Sequence, residues 1–122
     1  VVVTTDDGSV GIKGMVTDPL PDLIARTGSE VVYACGPMAM LAAVSDVAAD
    51  SGAWSQCAVE ESMACGIGVC MTCVLPVVGE DGLTRMVRSC VEGPVFRGDR
   101  VRWSEVGTIP EGTHGAPTGG RH

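Results

Sequence analysis

A parallel α/β unit followed by a small β-rich unit is the fold class that this sequence predicts, and three observations predict it. Residues 1–53 alternate short apolar runs with a crossover and a helical stretch, the rhythm of a parallel sheet. Past them, three cysteines stand in one nine-residue loop, Cys65-Gly66-Ile67-Gly68-Val69-Cys70-Met71-Thr72-Cys73. Behind that loop, two β-patterned runs separated by a turn end in a fourth cysteine, Cys90.

Taken in order, Val1-Val2-Val3-Thr4-Thr5 reads as a buried strand, with no methionine before it, so the chain is expected to be a fragment entered in the middle of a sheet. Asp6-Asp7-Gly8-Ser9 suits a loop at that strand's carboxyl end. Pro19 and Pro21 interrupt any helix before Leu23-Ile24-Ala25-Arg26 can extend it, and Gly28-Ser29 closes the segment. Val31-Val32-Tyr33-Ala34 is a second strand, followed by Cys35-Gly36-Pro37 and a helix in which Pro37 takes the first position. Leu41, Val44 and Ala48 lie along one face of that helix, and Gly52 stops it. Ligands of parallel sheets bind beyond the carboxyl ends of the strands, the edge to which Thr5-Asp6-Asp7-Gly8 and Cys35-Gly36-Pro37 are both assigned. There is no Gly-x-Gly-x-x-Gly fingerprint for a dinucleotide.

The spacing Cys65-x4-Cys70-x2-Cys73, with Cys90 sixteen residues further on, is how plant-type 2Fe-2S clusters are held by thiolates. Gly66 and Gly68 can take positive φ and bring bare N–H groups to the sulfurs, while Ile67, Val69 and Met71 turn apolar side chains outward. Val74-Leu75-Pro76-Val77-Val78, the turn Gly79-Glu80-Asp81-Gly82, and a partner strand Thr84 to Cys90 would return the fourth ligand to the other three. Three competing readings are structural zinc, disulfides, and unligated buried thiols. Structural zinc more often pairs two short Cys-x2-Cys units, and no secretion signal favours disulfides. Cys57 reads as a small buried residue, and Arg88 either offsets cluster charge or is an exposed strand arginine. Core packing is expected of Trp54 and Trp103.

Composition narrows the function. The 122 residues allow one domain or two small halves, and a formal charge of −7 makes nucleic acid an unsuitable partner. The apolar runs fall short of the roughly 18–20 residues that span a bilayer, and six cysteines without a secretion signal suit a reducing cytoplasm. The expected division is 1–53 for the parallel unit, 54–106 for the cluster unit, and 107–122 for a flexible Gly-, Pro- and Thr-rich tail in which His114 and His122 are exposed.

Tyr33-Ala34-Cys35-Gly36-Pro37-Met38, followed by Val59-Glu60-Glu61-Ser62-Met63-Ala64 and the cysteine loop, closely resembles the electron transfer subunits of bacterial dihydroorotate dehydrogenases. These are iron–sulfur flavoproteins of the ferredoxin-reductase-like family, and the segment Asp7 to Asp18 is similar to theirs as well. The resemblance implies that residues 1–53 are the C-terminal part of an NAD-binding domain. It implies Cys65, Cys70, Cys73 and Cys90 as cluster ligands, Cys35-Gly36-Pro37 beside the nicotinamide of NAD(H), and Thr5, Asp6, Asp7 and Gly8 near its ribose and phosphates. Glu60 would lie near FAD, although Ala58-Val59-Glu60 stands where the family usually shows Ser-Leu-Glu.

The function so implied is an electron relay between NAD(H), FAD and the cluster. Its partner would be a catalytic flavin-containing dehydrogenase subunit that oxidises dihydroorotate to orotate. Family relatives acting as NAD(P)H:ferredoxin oxidoreductase, sulfide dehydrogenase or hydrogenase subunits share these motifs, and a zinc-binding interaction module is the alternative from another class. The FAD-binding barrel and the first glycine-rich turn have no counterpart in the chain, which alone is expected to be inactive.

Overall fold

The stripe Leu41, Val44 and Ala48 is what the fold buries, with Leu41 and Ala48 fully removed from solvent. A computed structural model describes residues 1–116. Its elements are β1 (Thr4–Thr5), β2 (Ile12–Lys13), α1 (Leu20–Thr27), β3 (Val31–Cys35), α2 (Met38–Asp50), β4 (Trp54–Ala58), β5 (Val74–Val78), β6 (Thr84–Arg88), α3 (Ser89–Glu92) and β7 (Val95–Arg97).

Helix α1 starts three residues earlier than Leu23, because Pro21 falls in its first turn, where a missing N–H costs nothing. Gly28, at φ 63°, ends it by donating its N–H to the Ile24 carbonyl. Helix α2 is capped by Pro37, whose carbonyl accepts the Leu41 N–H at 3.0 Å. Its last turn closes at Ser51 and Gly52, the latter at φ 75°. Between them α2 serves as the crossover that joins β3 to β4 in parallel, from Val31↔Trp54 to Cys35↔Ala58.

Strand β4, which the sequence reading leaves unassigned, is the centre of the sheet. Its other edge pairs antiparallel with β7, Cys57 opposite Phe96, giving the order β3-β4-β7. Ser55 and Cys57 alternate inward along it. One core cluster therefore takes Leu41 from α2, Cys57 and Val59 from β4 and its exit, and Leu75 and Val101 from the second half, with Phe96 and Trp103 packed against it. Ile24, Ala48 and Ala53 form a second cluster under α1. Between α2 and β4 the buried Ser45 and Ser55 hydroxyls bond each other at 3.1 Å, and Gly98 lies against both.

Several expectations are corrected here. Val1–Val3 are exposed, not buried: only Thr4–Thr5 form strand, and that strand pairs with β2 in a separate two-stranded ribbon. Its bonds go to the segment that immediately follows, Ile12 N–H to Val3 and Gly14 N–H to Thr5. Trp103 is core-packed and donates to the Gly98 carbonyl at 2.9 Å, whereas Trp54 lies exposed beneath the Arg97 guanidinium, 4.4 Å from the ring centre. The segment after Gly107, expected as a flexible tail, is held up to Ala116 by the buried Pro110 and Thr113 and by the His114 N–H, which donates to Thr84 at 2.8 Å. The His114 side chain is exposed; residues 117–122, with His122, lie outside the described residues. No helix among the described residues is long and apolar enough to cross a membrane.

Leu41→Ala is expected to cost about 2–5 kcal/mol by loss of apolar contact plus a cavity. Urea unfolding should show the loss as a lower midpoint at unchanged slope.

Candidate metal centre

The hairpin β5–β6 is built by turn chemistry, and it ends where the chemistry starts. Gly79 N–H bonds the Leu83 carbonyl at 2.9 Å and Gly82, at φ 78°, completes the turn, so that Val74 faces Arg88 at the open end. Cys73 immediately precedes β5, and Cys90 follows β6 by two residues. The Ser89 N–H donates to the Cys73 carbonyl at 3.1 Å and joins the two cysteine-bearing segments directly. Strand β6 stops at Arg88, two residues short of the expected end, because Ser89 to Glu92 turn into α3. That turn closes through Gly93 N–H to Ser89 and places Cys90 on a helical turn instead of a strand.

The three-cysteine loop wraps backbone N–H groups around sulfur. Ile67 and Val69 N–H both point at the Cys65 sulfur, each at 3.4 Å. Such a wrap requires left-handed backbone, supplied by Gly66 at φ 68° and Gly68 at φ 81°, with Met71 at φ 60° the one non-glycine example among the described residues. Ile67, Val69 and Met71 face outward and are exposed, as their positions in the loop predict.

Electrostatics follows the wrap. The amides of Ile67, Cys70 and Val69, then the Cys70 thiol, draw the Cys65 thiol down to about 6. Cys73 is lowered by the Cys90 amide and then by the Cys90 thiol. Cys90 is raised by bonding to Cys73, by burial and by the Cys73 charge, with the Gly68 N–H acting in the opposite sense and the more distant Cys65 charge adding to the rise. Among the described residues no three His, Cys, Asp or Glu side chains close around a single ion position. Three thiols in one loop and a fourth on the turn bonded to it, with backbone N–H groups holding the first sulfur toward thiolate, fit the donor set of an iron–sulfur core. Cys57, by contrast, is fully buried, and burial pushes its thiol up, as befits a core residue.

Three residues outside the cysteines shape the loop, and none of their roles is visible in the spacing. Arg88 donates to the Gly68 carbonyl at 2.9 Å, so it is neither a free strand arginine nor only a distant counter-charge. Glu92 accepts the Arg88 backbone N–H and lies 3.7 Å from its guanidinium. Gly68 is buried below Val91, where an added Cβ would stand 2.5 Å from a Val91 methyl. An arginine two residues before the fourth cysteine, and a valine one after it, were the available signals.

The remaining predicted residues separate into two groups. Glu60 follows Val59, whose N–H is tied to the Pro94 carbonyl at 2.8 Å, and it shares a cavity of about 130 Å³ with Met63 and Cys90. Cys35 is exposed at the end of β3, and Gly36-Pro37 lead into α2. Thr5 donates its hydroxyl to the Val10 carbonyl at 2.8 Å, and Asp7 accepts the Ser9 N–H at 2.9 Å, a bond that lowers the Asp7 carboxyl below its usual range. Asp6 is exposed and Gly8 takes φ 75°. The expected common edge is not formed: Thr5–Gly8 follow β1 and Cys35–Pro37 follow β3, strands of different sheets. The two-residue β1 makes its bonds with β2 and contributes no ladder to β3.

Comparison with known proteins agrees with this geometry. Residues 60–102 match the family described as the iron–sulfur cluster binding domain of dihydroorotate dehydrogenase B. The chain is 41% identical over 101 residues to the dihydroorotate dehydrogenase B (NAD(+)) electron transfer subunit of Caldanaerobacter subterraneus subsp. tengcongensis, covering 83% of this chain and 40% of that protein. It is likewise 41% identical over 118 residues to the probable subunit of the same name from Pyrococcus abyssi, covering 92% and 41%. A solved structure of the NADH-dependent reduced ferredoxin-NADP oxidoreductase, described in terms of flavin-based electron bifurcation, aligns with TM-score 0.70 at 34% identity over 86% of this chain and 36% of that chain. The chain spans about two fifths of the length of the curated relatives it matches. Residues 60–102 thus match the iron–sulfur cluster binding domain of dihydroorotate dehydrogenase B, and the chain as a whole is similar to that enzyme's electron transfer subunits.

Proposed function

We propose that this chain is the cluster-bearing part of an electron-transfer subunit that passes single electrons between NAD(H) and FAD on one side and a catalytic flavoenzyme on the other. The meeting of the cysteine loop with the turn that bears Cys90 carries the reading: Ser89 N–H bonds the Cys73 carbonyl at 3.1 Å, and Cys65, Cys70, Cys73 and Cys90 would hold a 2Fe-2S core. When bound, such a core supplies a one-electron station between two-electron carriers. The chain's own residues do the rest. Ile67 and Val69 N–H stabilise negative charge at the Cys65 sulfur, and the apolar Ile67, Val69 and Met71 surround the loop.

Glu60 beside Cys90 supports a flavin approaching the cluster from that cavity. Cys35-Gly36-Pro37, open to solvent at the start of α2, supports the nicotinamide reading, with Thr5, Asp6, Asp7 and Gly8 assigned to the ribose and phosphates. In this reading residues 1–53 are the C-terminal part of an NAD-binding domain and 54–106 the cluster domain. The partner is a flavin-containing dehydrogenase subunit in a hetero-oligomer, the reaction is dihydroorotate oxidation to orotate in pyrimidine synthesis, and the compartment is the cytoplasm. A second reading, an NADH-linked ferredoxin oxidoreductase subunit, is favoured by the likeness to the solved oxidoreductase. Copurification of the full-length protein with a dihydroorotate-oxidising subunit supports the first reading; reduction of ferredoxin without any orotate chemistry supports the second.

Anaerobic reconstitution of the chain should yield about two irons and two sulfides with visible absorption. Cys90→Ser should lose most of that absorption and Cys57→Ala should keep it. Colourless protein carrying one zinc and no iron would falsify the proposal and leave the zinc-binding interaction module.

A paired substitution tests the loop. Gly68→Ala and Gly82→Ala both incur the left-handed penalty of roughly 1–2 kcal/mol. Only Gly68→Ala also drives a methyl against Val91, since Gly82 has nothing within 4 Å. Iron content should fall several-fold in Gly68→Ala and stay at the wild-type level in Gly82→Ala.

A further inference from the structure

We propose that Arg88 is a positioning residue for the cluster, acting on the Cys65 sulfur through the single peptide unit that joins Gly68 to Val69. The guanidinium donates to the oxygen of that unit, Gly68 C=O, at 2.9 Å, and the N–H of the same unit, Val69, points at the Cys65 sulfur at 3.4 Å. An amide is a resonance system, so a charged donor at its oxygen draws electron density from nitrogen and makes the N–H a stronger donor. Arg88 thereby reaches a sulfur that it does not touch.

Three features keep this relay in place. Glu92 accepts the Arg88 backbone N–H and stands 3.7 Å from the guanidinium, on the same helical turn as Cys90. Gly68 is wedged between Val91 and Arg88, whose terminal nitrogen is 3.4 Å from where a Cβ would be, so the peptide has little room to rotate. The side chain is 37% exposed while its bond to Gly68 is part-buried, so solvent weakens direct Coulomb attraction more than it weakens the hydrogen bond. Adding an electron to the core increases negative charge on the thiolates, and donors to sulfur favour that reduced form. Arg88 is thus expected to raise the reduction potential.

The inference rests on the cluster reading, and the two fail differently. Iron-free wild-type protein removes the cluster reading, whereas an iron-loaded Arg88→Met with the wild-type potential removes only this one. The experiment is a dithionite titration of the reconstituted chain, one electron per cluster, followed by electron paramagnetic resonance. Arg88→Met should keep its iron and sulfide and show a lower midpoint potential, and Arg88→Lys should fall between the two. Arg85→Met lies on the same strand but bonds Asp81, so it should match wild type. Exchange into deuterium oxide should shift the iron–thiolate Raman bands less in Arg88→Met than in wild type. Equal potentials, or an equal drop in Arg85→Met, overturn the proposal. If Arg88→Met takes up no iron, Arg88→Lys decides, and its having the wild-type potential with unchanged deuterium shifts overturns it.

Discussion

Strand β4 is hydrogen-bonded along both edges, parallel to β3 and antiparallel to β7, and the rest of the structure hangs on that double pairing. Its partner β3 and the crossover α2 come from the first half of the chain, and β7 arrives only after the cysteine loop and the hairpin are complete. The loop and hairpin are therefore an excursion between two neighbouring strands of one sheet. Cys57, opposite Phe96, carries the same junction into the core, where Leu41 and Leu75 from the two halves share one cluster. A chain of this size has one modest core, so joining the halves through it is what holds the excursion in a fixed place.

The loop itself obeys a different rule. In helices and strands each N–H meets a carbonyl, but around Cys65 two successive odd-numbered amides turn to a sulfur. That arrangement needs left-handed residues at close spacing, and it leaves Ile67, Val69 and Met71 facing water. The loop is consequently held from behind, by Arg88 on the Gly68 carbonyl and by Val91 over the Gly68 Cα. Both supports come from the strand and turn that deliver Cys90, so the fourth cysteine and the fastening of the loop that bears the other three share a single local structure.

This economy fits a redox centre better than a merely folded loop. An electron-transfer site benefits from small rearrangement between oxidation states, and a loop fastened by backbone bonds suits that demand. The likeness to dihydroorotate dehydrogenase B electron transfer subunits and to the solved ferredoxin-NADP oxidoreductase extends over more than four fifths of the chain, so it includes the parallel unit as well as the cysteines.

Much of this was legible in the residues. Periodicity placed α2 and its buried face, because a helix in contact with a sheet needs an apolar stripe that one sequence window contains whole. Glycine and aspartate at 79–82 marked the hairpin, and the cysteine spacing marked the ligand loop, since both depend on neighbours along the chain. Strand β4 escaped notice because, after Trp54, its residues Ser55-Gln56-Cys57-Ala58 are small or polar where a strand's usual residues are branched or aromatic. The exposure of Val1–Val3 was misread because apolar residues report a preference for burial, and only the assembled sheet decides whether a partner covers them. The same limit hid the contact that Arg88 makes. Which carbonyl an arginine reaches twenty residues away is set by the twist and packing of the hairpin, and no local pattern encodes that distance. Sequence alone determined the cysteine spacing, the hairpin and the buried face of α2; tertiary structure decided the double pairing of β4, the support under Gly68 and the placing of Glu60 beside Cys90, because each is a contact between segments whose separation only the folded chain removes.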